Sequence, residues 1–531
     1  MSDKDTSTPS NDHIRTGIRG LDEVLLGGPR RNNIILVEGG PGTGKTSLGL
    51  EFIYRGARDF KEPGLIISFE LSPEKLLRDA SGFGWDFTPL EKEGMLKIIY
   101  TTPLVILEEL QSPGGVLSSI VKEHGIRRVL IDGLTPLRIS SSISSGKPFR
   151  ENLHLLVESL QRYNVTAMLT NEIAMTTVGE DAGNHERFVC DTILNLATRS
   201  NRRQLYRTLE ITKSRGQDYL TGKHTLRIIG NQGVRVFRRA QSRPKRYYEQ
   251  NTSSERLSTG IRSLDPLFGG GILRSSITLT VGISGTGKTL IASNFLLKGV
   301  EEGETALLVT LDEHPQQLLR NAEAVGLPAR KAIENEQLLI SYDSPLELEL
   351  DVHFDEITRL IEERNVKRVV LDSLAAYESA SPDEVKDFLY AFASFLKNRG
   401  ITAIFNYESP EMLGISQISE TIKVSHLVDN IVLLNYVEIS TRIRRAITVP
   451  KARGSANQQC TREFQITNEG VFLLDEDRGE AGKVEAVPQL PFSSYYGILA
   501  RSPTRHSPVI EERVAAGESL PSSPKIPKAK T

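Results

Sequence analysis

Two stretches, Gly39-Gly40-Pro41-Gly42-Thr43-Gly44-Lys45-Thr46 and Gly282-Ile283-Ser284-Gly285-Thr286-Gly287-Lys288-Thr289, decide how the chain reads. Both satisfy G-x-x-x-x-G-K-[ST], which cradles phosphate when a strand precedes it and a helix follows. That setting is present: Ile34-Ile35-Leu36-Val37 and Ile277-Thr278-Leu279-Thr280-Val281 read as buried strands, and an apolar-periodic stretch follows each loop. The glycines let successive backbone N–H groups turn inward as an anion nest, and the helix adds the partial positive charge of its N-terminus. Lys45 and Lys288 reach toward the outer phosphates, while the hydroxyls of Thr46 and Thr289 suit Mg2+. The expected ATP contacts are Gly42, Thr43, Gly44, Lys45, Thr46 and Ser47 in one loop. In the other they are Gly285, Thr286, Gly287, Lys288, Thr289 and Leu290.

The loops belong to a larger repeat. Thr16-Gly17-Ile18-Arg19-Gly20-Leu21-Asp22 returns as Thr259-Gly260-Ile261-Arg262-Ser263-Leu264-Asp265, at the same displacement as the two loop lysines. One shared displacement means that a whole domain is duplicated. The reading is a first domain over 13–237, a basic linker over 238–255 and a second domain over 256–490. Polar ends at 1–12 and 491–531 are expected to be disordered.

Within each copy, short apolar strands alternate with helices, the pattern of a mostly parallel sheet covered on both faces. Ligands in such folds bind at the carboxyl ends of the strands. Arg128 to Asp132 and Arg368 to Asp372 read as strands ending in an acid, so Asp132 and Asp372 are the expected Mg2+ carboxylates opposite the loop threonines. A water attacking the outer phosphate needs a base, and an acid on the strand beside the loop is placed for it. Glu70 fills that position in the first copy, and the pair Asp312-Glu313 fills it in the second. Helices with the pattern P-x-x-L-L-R-x-A, Pro73 to Ala80 and Pro315 to Ala322, follow these acids.

Composition bounds the class. The chain has 531 residues, with 25% charged, 38% hydrophobic and a net charge of −2, which is ordinary for a soluble globular protein and exerts no pull on nucleic acid or anionic lipid. Two cysteines, Cys190 and Cys460, exclude a disulfide framework and fit a reducing cytoplasm. No stretch approaches the length of a membrane span.

The repeated T-G-I-R-x-L-D, the two loops, the acids before P-x-x-L-L-R-x-A and Phe83-Gly84-Trp85 together resemble the KaiC family, circadian clock ATPases. The likeness continues through Asp429 to Glu438 and Ser502-Pro503-Thr504-Arg505, covering the chain from about Thr16 to Arg505. It implies a RecA-like P-loop fold in each half, two stacked rings in a homohexamer, and ATP bound between neighbouring subunits. Lys213-Ser214-Arg215-Gly216 and Lys451-Ala452-Arg453-Gly454 are similar to the K-x-R-G segments by which one subunit contacts its neighbour's ATP. Protein regulators are implied as well.

Three positions depart from the family pattern. Leu71 replaces the second acid of the first copy, and Asp312 stands where the first glutamate of the second copy would be. Of the family's adjacent serine and threonine phosphoacceptors, Ser425 remains and His426 replaces the other. The leading expectation is an ATPase whose second half is also a serine/threonine autokinase. Two alternatives are a RecA-like nucleic-acid motor and a nucleotide-gated scaffold with little turnover. The stretches Ile139 to Gly146 and Val178 to His185, read as loops that could face a channel, are not basic, which argues against the motor.

Overall fold

The computed structural model describes residues 12–111, 115–143, 148–173, 185–201, 204–240, 253–409, 427–439, 442–455, 458 and 460–474. Ser425, His426, the stretch Val178 to Asn184, Ser502 to Arg505 and the terminal segments expected to be disordered lie outside these residues, apart from Asp12. Both lobes of the repeat belong to one compact unit that ends at Leu473.

The first lobe is a nine-stranded sheet. Its strands are β1 (Ile34–Gly39), β2 (Gly64–Ser68), β3 (Leu96–Tyr100), β4 (Arg128–Asp132) and β5 (Thr166–Glu172). They continue as β6 (Thr192–Asn201), β7 (Gln204–Ser214), β8 (Lys223–Ile229) and β9 (Gly233–Phe237). The spatial order is β3-β2-β4-β5-β1-β6-β7-β8-β9. Pairing is parallel from β3 across to β6 and antiparallel from β6 to β9.

The second lobe repeats the plan. A small antiparallel pair, β10 (Arg256–Leu257) and β11 (Ile272–Leu273), precedes β12 (Ile277–Gly282), β13 (Thr305–Thr310), β14 (Leu338–Tyr342) and β15 (Val366–Asp372). Then come β16 (Thr402–Glu408), β17 (Asn430–Ile439), β18 (Arg442–Ala452), β19 (Thr461–Thr467) and β20 (Gly470–Leu473), in the order β14-β13-β15-β16-β12-β17-β18-β19-β20. Two mostly parallel sheets flanked by helices are the RecA-like pair that the sequence predicts.

Loop strands β1 and β12 are buried along their whole length because each sits in the middle of its sheet with a core on either face. Their neighbours are β5 and β6, or β16 and β17. The expectation that the acid-bearing strand lies beside the loop strand is therefore corrected: β4 and β5 stand between β2 and β1. Another correction concerns Ile139 to Ile143, which belong to a helix, Thr135–Ile143, rather than a loop. Pro136 in its first turn loses no hydrogen bond there.

The T-G-I-R-x-L-D segment is a turn closed on its own aspartate. Asp22 accepts from the Thr16 hydroxyl at 2.6 Å and from the Thr16 amide at 2.8 Å; Asp265 does the same for Thr259 at 2.6 and 2.8 Å. Buried arginines pin these turns to the loop helices. Arg128 donates to the carbonyls of Arg15 (2.7 Å) and Phe52 (3.0 Å) and pairs with Glu62 at 2.6 Å. Arg368 donates to the carbonyls of Ser258 (3.1 Å) and Phe295 (3.0 Å) and pairs with Glu304 at 2.6 Å and with Glu302.

The chain that leaves β9 packs on the second lobe rather than running free from Arg238. Arg239 pairs with Asp387 at 2.7 Å, Ala240 is buried, and its amide donates to Asp351 at 3.0 Å. Among the described residues no helix is long and apolar enough to cross a membrane. Cys190 and Cys460 are both free thiols.

Candidate functional site

In each lobe the loop leaves the central strand and turns directly into a helix, Lys45–Asp59 or Lys288–Glu301. The turn needs positive φ at Gly42 (73°) and Gly44 (101°), and at Gly285 (79°) and Gly287 (104°). Glycine adopts that region without the steric cost that a Cβ imposes. A Cβ placed on Gly42 would meet nothing within 4 Å, so the cup outside the loop is open. Lys45 Nζ donates to the carbonyls of Gly39 (2.9 Å) and Gly40 (2.8 Å). Lys288 Nζ does the same to Gly282 and Ile283, each at 3.0 Å. Thr43 and Thr286 brace the loops through their hydroxyls, on Gly40 O at 2.9 Å and Ile283 O at 2.8 Å. Ser47 and Leu290 lie in the first helical turn, with Leu290 partly packed against the core.

The carboxylates read as cation ligands sit where the sequence puts them. Thr46 donates its hydroxyl to Asp132 at 3.0 Å, and Thr289 donates to Asp372 at 2.7 Å. Thr170 adds a second bond to Asp132 at 2.9 Å. Burial raises both aspartates above the usual carboxylate range, against the lowering effect of these hydroxyls. A buried carboxylate beside a hydroxyl and an open phosphate cup fits a divalent cation held partly by phosphate oxygens.

Of the basic candidates, Glu70 is exposed and its carboxyl stands over Gly133, the residue after Asp132. Leu71 is partly buried against the core and supplies only an amide, which donates to Ser68 Oγ at 3.2 Å. In the second lobe Asp312 accepts from Ser373 Oγ at 2.7 Å. Glu313 accepts from Asn321 at 3.3 Å, and burial together with Asp372 raises its carboxyl.

The segments expected to reach a neighbour are anchored within their own chain. Lys213 Nζ donates to the carbonyls of Arg187 (2.7 Å), Cys190 (2.7 Å) and Phe188 (3.3 Å), which occupies its three N–H donors. Arg215 donates to Phe188 O at 2.7 Å, yet its side chain is 56% exposed. Lys451 donates to Val428 O at 2.8 Å, and Arg453 lies 4.0 Å from Asp429 with 55% of its side chain exposed. Each arginine therefore presents a cation at the surface.

Two pairs of residues at these sites escape the sequence reading. Glu172 and Glu408 end β5 and β16, next to the loop strands; Glu408 is 3.6 Å from Lys288 Nζ, and Glu172 is the acid acting most strongly on Lys45. Burial lowers the Lys45 ammonium, and Glu172, Asp132 and Glu70 oppose that. Arg207 donates to Gly42 O at 3.1 Å, and Arg445 donates to Gly285 O at 3.4 Å from the matching position of β18. The available signal was repetition: each pair recurs at equivalent places in the two copies.

Comparison with known proteins agrees with this geometry. The sequence matches the family described as "ATPase: KaiC" twice, over residues 14–241 and 257–478. It is 32% identical over 500 residues to the circadian clock oscillator protein KaiC of Picosynechococcus sp., covering 93% of this chain and 92% of that one. Against the protein of the same name from Synechococcus elongatus, identity is 31% over 521 residues, covering 95% and 96%. The Thermostichus vulcanus protein is 32% identical over 482 residues, covering 90% and 91%. With two matched domains, two phosphate-loop sites and near full-length similarity, the chain belongs to the KaiC family of tandem-domain ATPases.

Proposed function

We propose that each chain carries two ATP-hydrolysing sites, that each is completed by a neighbouring chain in a hexamer, and that the second lobe also phosphorylates Ser425. The observation that carries the reading is the pairing of Thr46 with Asp132 and of Thr289 with Asp372 at the mouths of two equivalent loops. Mg2+ held by these pairs would neutralise phosphate charge. Amides of the two loops bind the phosphate oxygens, and Lys45 or Lys288 turns from loop carbonyls toward them. Glu70 in the first lobe takes the proton of the attacking water. Arg215 and Arg453, exposed on one subunit, bring positive charge to the site of the next.

In the second lobe two carboxylates stand together. Asp312 or Glu313 accepts the proton of the Ser425 hydroxyl of a neighbour as its oxygen bonds to the outer phosphorus and the bond to ADP breaks. The raised carboxyl of Glu313 suits proton transfer near neutrality better than an ordinary glutamate. Protein partners in the cytoplasm would read the resulting nucleotide or phosphate state. A nucleotide-gated scaffold is the second reading, favoured by Leu71 in the first lobe and by the bond that engages Asp312 in the second.

Phosphate release by Lys45→Ala and Lys288→Ala proteins, with native mass measurement and phosphopeptide mapping after ATP incubation, tests the reading. Each variant is expected to form a six-subunit particle that loses turnover in one lobe, with phosphate on Ser425 in the wild type and Lys45→Ala proteins and none in Lys288→Ala. Wild-type protein with negligible turnover would favour the scaffold. Active protein without phosphate on Ser425 would remove the kinase.

A further inference from the structure

The first lobe contains a charged link that the second lobe cannot form. Glu38 is the penultimate residue of β1 and is 2% exposed. The next residue, Gly39, offers its carbonyl to Lys45 Nζ at 2.9 Å, so Glu38 lies directly behind the phosphate loop. Across the sheet it is in register with Asn171 of β5 and Asn195 of β6. Its carboxylate pairs with the guanidinium of Arg187. A carboxylate this deeply buried requires such a partner.

Arg187 belongs to the short helix His185–Val189, which has a second tie: Glu186, also buried, pairs with Arg138 of the helix Thr135–Ile143. The carbonyls at the end of this short helix hold the K-x-R-G segment. Those of Arg187, Phe188 and Cys190 accept from Lys213, and that of Phe188 also accepts from Arg215. Asp191, the following residue, lies 3.5 Å from Arg215 and accepts the amide of Ile34 at 3.0 Å, at the start of β1. An ion pair beneath the loop, the backbone of the short helix and the bonds its carbonyls accept thus connect Glu38 to the exposed Arg215. In the second lobe the residue in the place of Glu38 is Val281, which is buried and uncharged.

We propose that Glu38 and Arg187 are positioning residues that, together with the anchoring bonds of Lys213, hold Arg215 where it acts on the neighbouring subunit's first-lobe site. The proposal rests on the reading that Arg215 works in trans. The link joins a chain's own phosphate loop to the cation it presents to its neighbour, and it is confined to the first ring. Val281 removes the Glu38 leg alone: in the second lobe Asp429 still accepts the Ile277 amide at 2.9 Å and lies 4.0 Å from Arg453.

Mixed assemblies of full-length chains test this, with Lys288→Ala in every subunit to silence the second lobe. One subunit type carries Lys45→Ala and keeps Arg215; the other carries Arg215→Ala and keeps its loop. Mixing the two is expected to restore phosphate release. Adding Glu38→Gln or Arg187→Met to the first type is expected to lower that rate about ten- to hundredfold while the KM for ATP moves less than about twofold. Both changes are made because Glu38→Gln keeps the volume of the buried side chain while Arg187→Met acts at the surface end. Native mass measurement confirms equal subunit number. Restored turnover that neither substitution lowers would overturn the link. No restoration in the parent mixture would overturn the trans reading, and the link with it.

Discussion

Asp351, in the second lobe, accepts a hydrogen bond from the Thr225 hydroxyl of the first lobe at 3.1 Å. The helix Leu350–Glu363 that carries it also offers Asp355 to Arg235 at 2.7 Å, and Glu349 at its N-terminal cap pairs with Arg227 at 2.9 Å. The contact between the lobes is thus built on acids of one and bases of the other. A cavity of about 380 Å³ opens beside Asp351, between these two surfaces.

Burial pushes the Asp351 carboxyl up to about 6 from an ordinary value of 3.8, with Thr225 and the Ala240 amide acting against it. Between those values the folded chain holds the proton more tightly than the unfolded chain, so this group's contribution to stability falls as pH rises. The full effect is at most about 3 kcal/mol, lost between about pH 4 and 7. Melting temperatures of the wild type and Asp351→Asn should therefore converge or cross over that range, with the wild type losing ground as pH rises. Parallel curves would remove Asp351 as the titrating group.

Arg128 is fully buried and pairs with Glu62 at 2.6 Å. Arg128→Met removes a donor from Glu62 Oε2 and from the carbonyls of Arg15, Thr16 and Phe52, and a loss of about 3–5 kcal/mol is expected. Urea denaturation measures it. Arg368→Met should cost a similar amount, because Arg368 makes the corresponding contacts in the second lobe.

Gly20 has φ of 80°, and a Cβ there would stand 1.8 Å from the carbonyl oxygen of Val236. Gly20→Ala must displace β9 or the turn, and a loss well beyond 2 kcal/mol is expected. Gly125 also has positive φ (59°), but a Cβ there meets nothing within 4 Å. Gly125→Ala should cost only about 1 kcal/mol, the price of the backbone conformation itself. The difference between the two in chemical denaturation isolates the steric part.

Leu71 faces the core while Glu70 is exposed beside Gly133. Glu70→Gln is expected to lower phosphate release by the first lobe about 10²–10³-fold in a Lys288→Ala background. Leu71→Ala should leave the rate within about threefold and instead lower the melting temperature. Equal rate losses in both would mean that the acid is acting through packing alone.

The phosphate loops and Asp132 and Asp372 were legible in the sequence because each depends on local spacing that a strand, a turn and a helix reproduce. The strand order was not. Nothing in the run Gly64 to Ser68 records that β4 and β5 intervene between it and β1, since pairing between distant strands leaves no periodic trace. The acids Glu172 and Glu408 were missed because they follow apolar runs at the very ends of β5 and β16, where nothing in the local pattern shows that these strands flank the loop strands. Lys213 and Arg215 looked alike in sequence. Only the fold separates a lysine whose donors are taken by three carbonyls from an arginine that faces outward.

The fastening of Arg128 to the carbonyls of Arg15 and Thr16 sets a limit on how far the chain can be trimmed. A product that started at Gly20 would keep both nucleotide loops and every acid beside them. It would nonetheless leave the Arg128 guanidinium inside the first lobe with only Glu62 and the Phe52 carbonyl as acceptors, and would lose the clasp that Asp22 closes on Thr16.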